Sequence, residues 1–182
     1  MSTPPIDLAA DGESTDAVDV LVRQHRSLET LLEALTADAP PALRSDRLQR
    51  AGDELAMHLS AEEQVFYPAV HAKRTEDILL ESLEEHLSLK RLLADLLALD
   101  PGDQTFTPKC KVLREQVEHH HGEEEEHLFP KVLKLLPADR RAQLGRQMLA
   151  QQAGLHRAGQ PRAVAAAQTE VAESLDPVPP SD

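Results

Sequence analysis

Four long segments of this chain repeat apolar residues three and four apart, and each interrupts its apolar stripe with one histidine. That spacing marks one face of an α-helix. The first segment (residues 15–35) reads Val18, Leu21, His25, Leu28, Leu32, Leu35. The second (43–71) reads Leu48, Ala51, Leu55, His58, Glu62, Val65, Ala69. The third (76–99) reads Leu79, Ser82, His86, Leu89, Leu93, Leu96, and the fourth (108–135) reads Cys110, Leu113, Val117, His120, Glu124, then His127 or Leu128.

Helix breakers separate the segments. Pro40-Pro41 and Asp100-Pro101-Gly102 stop the first and third, and Ser14 or Thr15 is the expected N-cap of the first. Short loops between long helices make consecutive helices antiparallel neighbours. Aromatic residues make up only 2% of the chain and Trp is absent, so the core must be aliphatic. The expected fold is all-α: an antiparallel up-down-up-down four-helix bundle over residues 16–155, closed by a short C-terminal helix after Pro137. Residues 1–15 and the Ala/Pro-rich tail 156–182 lack a period and are expected to be disordered.

A histidine on a buried stripe is usually a hydrogen-bonded core residue, and a single His–x3–Glu pair is usually a solvated surface pair. Four matching positions are harder to dismiss. Residues four apart share a helix face, so His58 and Glu62 point one way, as do His120 and Glu124. With His25 and His86, all six converge on the bundle axis. A buried carboxylate without a partner costs several kcal/mol, about the whole stability margin of a domain. Lys and Arg are nearly absent from the stripes, so a pair of metal ions is the natural counter-charge. Imidazole with carboxylate suits iron, manganese or zinc. His119, His120 and His121 each precede a glutamate by four. His120 is chosen because it continues the stripe and stands as far from Pro130 as His58 does from Pro68. His119 and His121 are expected on the flanks or in an outer layer.

These residues resemble the hemerythrin-like, or HHE cation-binding, domains of bacteria. The pattern H…HxxxE…H…HxxxE is met by His25, His58–Glu62, His86 and His120–Glu124, supported by the stretches AEEQVFYPAV and VEHHHGEEEEHLFPKV. The resemblance covers about residues 16–152. It implies a non-haem centre of two iron ions, bridged by the two glutamates and an oxo or hydroxo group. Oxygen-carrying hemerythrins have a further histidine on the third helix where this chain has Lys90, and His–x4–Asp on the fourth. The resemblance therefore implies open positions for dioxygen, peroxide or nitric oxide.

Tyr67 either takes an open metal position, donates a hydrogen bond there, or packs. His127 is either an outer-layer proton donor or a surface residue at the helix end. Lys90 either neutralises the glutamates or reaches solvent. Cys110 is expected in the core. The leading functional reading is a di-iron protein binding small oxygen or nitrogen ligands for redox response or iron homeostasis. The alternatives are a catalase-like or peroxidase-like enzyme that decomposes peroxide, and a helical module with zinc or no metal. A net charge of -13 argues against nucleic acid and anionic membranes. No apolar run reaches the length of a membrane span. With no leader-like start and one cysteine, a cytoplasmic monomer or weak homodimer is expected.

Overall fold

A computed structural model describes residues 13–178 of the chain. Eight α-helices, with two π-helical turns among them, make up the regular structure of the described residues. They are α1 (Ala17–Thr36), α2 (Pro41–Ala61), α3 (Tyr67–Val70), α4 (Glu76–Ala98), α5 (Phe106–Glu123), α6 (Phe129–Leu135), α7 (Ala138–Ala158) and α8 (Pro161–Ala167). The first π turn (Glu62–Phe66) joins α2 to α3, and the second (Glu124–Leu128) joins α5 to α6. Four rods result: α1, α2–α3, α4 and α5–α6. They pack as a closed ring in which α1 touches α2 and α5, and α4 touches α5 and α2. This is the expected up-down-up-down bundle.

Each boundary has a local cause. The N-cap of α1 is Asp16, just past the expected Ser14 or Thr15, and its carboxylate accepts from the Val18 amide at 3.0 Å. Pro41 opens α2, where a missing N–H costs nothing. In the loop before α5, the Gly102 amide donates to the Asp100 carboxylate, turning the chain back.

Two sequence expectations need correction. The helix after Pro137 is not short: α7 is 21 residues long and packs on α1 and α2. Its buried face is only Leu144, Gly145 and Met148. Gly145 lies so close to the start of α1 that an added Cβ would overlap the Thr15 carbonyl oxygen. The tail is not shapeless either. Gly159 and Gln160 take positive φ of 82° and 50°, and the chain reverses into α8, which fills the gap between α2 and α4. Pro161 and Ala165 are buried there, and Arg162 pairs with Asp53. Beyond α8, Arg91 donates to the carbonyls of Thr169 and Glu170. The expected disorder of residues 1–15 falls mainly on residues 1–12, outside the described residues.

The core is in two parts. One apolar cluster gathers Val18, Leu21, Phe66, Leu79, Leu83, Leu128, Phe129 and Met148, among others. The other gathers Leu28, Leu32, Leu55, Leu89, Leu93, Cys110 and Val117, among others. On every rod a histidine lies between the two: His25 between Leu21 and Leu28, His86 between Leu83 and Leu89. A polar layer therefore crosses the bundle, roofed and floored by aliphatic side chains.

Candidate metal centre

The polar layer holds His25, His58, Glu62, His86, His120 and Glu124, and each is at most 1% exposed. Its histidines share one construction. Every Nδ1 is held from outside by a polar side chain: His25 by Glu125 at 2.8 Å, His58 by Gln24 at 3.0 Å, His86 by Glu63 at 3.0 Å, His120 by Glu85 at 2.7 Å. A proton kept on Nδ1 leaves a lone pair on Nε2, which faces inward. Metal-binding histidines are oriented this way.

Inside the ring, His25 Nε2 is 3.3 Å from Glu124, while His58 Nε2 and His86 Nε2 are 3.3 and 3.4 Å from Glu62. His120 Nε2 is 3.0 Å from His86 Nε2 and 3.8 Å from Glu124. Two overlapping groups that include a carboxylate can each converge on one ion. One is His25, His58, Glu62 and Glu124; the other is Glu62, His86 and His120. Glu62 belongs to both.

Several inward atoms have no hydrogen-bond partner: His25 Nε2, His58 Nε2, both oxygens of Glu62, and Glu124 Oε2. Leaving a buried polar atom unpaired costs about 1–3 kcal/mol. Five at one spot are intelligible as a donor set for a cation. The chemistry of that set, imidazole nitrogens with carboxylate oxygens, fits a transition metal.

Electrostatics distinguish the two glutamates. Burial, then the neighbouring Glu124, pushes the Glu62 carboxyl well above its ordinary range. Burial also works against an ionised Glu124, but His120, His25 and His58 outweigh it and hold that carboxyl low. Burial lowers His58 and His86 toward the neutral form a metal needs. His120 is raised despite burial, because Glu124 and Glu85 favour its charged form.

The π turns decide what else reaches the layer. Each adds one residue to a helical turn, and each precedes a proline, where ordinary α-helix would clash. After Glu62 the inward stripe moves by one residue, from the expected Val65 and Ala69 to Phe66 and Val70. The same slip brings Tyr67 inside. Its hydroxyl donates to Glu124 at 2.9 Å and lies 3.0 Å from His86 Nε2. After Glu124 the slip turns Leu128 inward and His127 outward. His127 is exposed, and its ring is 3.5 Å from Glu123, so it is a surface residue. Lys90 is buried and donates to Glu63 at 2.7 Å, behind His86.

Sequence reasoning missed the anchoring residues and His121. Gln24, Glu63 and Glu125 are each chain neighbours of a stripe residue, and Glu85 directly precedes His86, a repeated adjacency that could have singled them out. His121, expected on the flank, is buried with its ring stacked on His25.

Over residues 16–171 the chain matches the family described as Hemerythrin HHE cation binding domain. It belongs to that family. An HHE cation-binding domain with these His/Glu groups is a metal-binding module. The domain is also similar to a DNA nickase from Nostoc sp. (strain PCC 7120), 26% identical over 134 residues. The match covers 74% of this chain but 38% of that relative, so the HHE chain spans well under half the relative's length. No solved structure is a significant match. Among the described residues, no helix is long and apolar enough to cross a membrane.

Proposed function

We propose that this HHE domain holds two iron ions and binds small oxygen or nitrogen ligands there, in redox response or iron homeostasis. The observation that carries this is the ring of inward Nε2 atoms, each fixed by an outer Nδ1 partner and facing the unpaired Glu62 carboxylate and one unpaired oxygen of Glu124. His25 and His58 would hold one ion and His86 and His120 the other, with Glu62 shared between the two groups and Glu124 beside the first. Two iron ions so held supply two redox equivalents and positions for an exogenous ligand. The rest is done by the chain. The aliphatic clusters on both sides exclude bulk water. The Tyr67 hydroxyl, with burial pushing its pKa well up, stays protonated and donates into the centre. Glu63 and Glu85 keep His86 and His120 oriented.

Peroxide decomposition is the second reading, favoured by one feature: a buried phenol whose proton lies beside Glu124 and His86. DNA nicking is what the relative's name says of that protein. Nothing in this chain favours it, and a net charge of -13 disfavours a DNA partner.

The test is metal analysis by mass spectrometry on protein from iron-replete cells, with optical spectra before and after azide and peroxide. About two irons per chain and an azide-dependent band are expected. A fully folded chain that takes up no transition metal overturns the proposal. Oxygen release on adding peroxide, lost in His86→Ala, moves the reading to the enzyme. Equal release from both proteins leaves ligand binding.

A further inference from the structure

His121 has no task in the centre described so far, yet it is the oddest residue in it. It is 2% exposed, and neither ring nitrogen has a hydrogen-bond partner. The other four buried histidines of the layer each have an outer partner on Nδ1; His121 has none. Its ring lies flat on His25, with centroids 3.8 Å apart and an interplanar angle of 6°, and meets His58 edge-on at 5.3 Å. His25, His58 and His121 each present a ring nitrogen, and these atoms lie within 4.8 Å of one another.

A leucine would fill this space without burying two dry polar atoms. Burial beside two inward imidazoles is instead what a further ligand requires. Building on the two-ion reading above, we propose that His121 is a third imidazole ligand of the ion held by His25 and His58. The two metal positions are then unlike. The first has three imidazoles, and the second has His86 and His120 with the Tyr67 hydroxyl beside them. Two stacked parallel rings cannot both direct an in-plane lone pair at one ion. His25 is fixed by Glu125, so His121, unanchored, is the ring that turns when metal enters. The nitrogen-rich position also gains affinity for borderline ions such as zinc or cobalt.

The test counts metal-bound imidazoles directly, without any activity. Full-length protein carrying ¹⁵N-histidine is loaded with zinc, which is diamagnetic, and ring nitrogens are observed by NMR. Five zinc-shifted imidazoles are expected, from His25, His58, His86, His120 and His121. His121→Leu should show four and bind zinc at least tenfold more weakly at its tighter position; His119→Leu should match wild type. Four shifted imidazoles in wild-type protein overturn the proposal while leaving the two-ion centre intact. No shifted imidazole in folded wild-type protein removes the two-ion reading itself. The wild-type count decides the matter even if His121→Leu fails to fold, and His121→Gln offers a less disruptive second variant.

Discussion

Glu125 illustrates how a residue's neighbours can disguise it. In the run Glu123 to Glu126 it looks like part of a solvated acidic face, and its flank Glu126 is exposed. Yet Glu125 accepts from His25 Nδ1 with one oxygen and from Arg26 with the other, both bonds short. Removing such an outer partner lowers metal affinity by about 10–100-fold. Glu125→Ala should therefore weaken metal binding at His25 by that factor, read by competition with a chelator, whereas His127→Ala should leave it unchanged. Cys110 gives a prediction of another kind. It is buried, and burial pushes its thiol up to about 11. Only the thiolate reacts, so iodoacetamide at pH 8 should modify it only after denaturation; labelling of the native chain at the rate of a free thiol would contradict its placement. The six inward side chains were readable because each lies on an α-helical stripe. Glu125, Gln24 and Glu63 were not, because a residue beside the stripe looks the same whether it grips a histidine or faces water.

At the scale of elements, the lesson lies in the π turns. Helical arithmetic places side chains correctly up to Glu62 and Glu124; beyond them it misses by one residue in the second rod and leaves His127 or Leu128 open in the fourth. Period counting has no term for an inserted residue. The sequence does carry a trace of it, since both turns lie between a His–x3–Glu pair and a proline. Inserting one alanine after exposed Glu126 should rotate Phe129 and Val132 by about 100° out of the core. A loss of about 3 kcal/mol or more is expected, read as a lower urea midpoint. A helix of weak stripe is the other blind spot. Because α7 buries little beyond Leu144, Gly145 and Met148, its length was not legible, and its fit depends on close approach to α1. Gly145→Ala should destabilise by about 1–3 kcal/mol, measured in the same titration. No change would mean that α7 can shift freely away from Thr15.

Over the whole molecule, a fold that buries a cation site is penalised without the cation. Glu62 shows the sign. Its carboxyl is raised, so the neutral form favours the fold. That contribution is complete below the unfolded pKa of about 4.3 and is lost as pH rises through the raised folded value. Glu62→Gln carries a neutral side chain at every pH. Free of metal, it should melt with wild type in acid and above it at alkaline pH, while failing to hold two ions. Metal should act on the native chain in the opposite sense. Free ion at a thousand times its Kd adds about 4 kcal/mol, a rise in Tm of about 10 °C. The division of the inward side chains between rods carries a further consequence. His25, His58 and Glu62 all come from the first two rods, and His86, His120 and Glu124 from the last two. Each hairpin owns one imidazole pair and lends its carboxylate across the seam. Loaded ions would act as rivets between two half-molecules. A chain cut in the loop after Leu99 should then travel as one particle with metal and come apart in chelator.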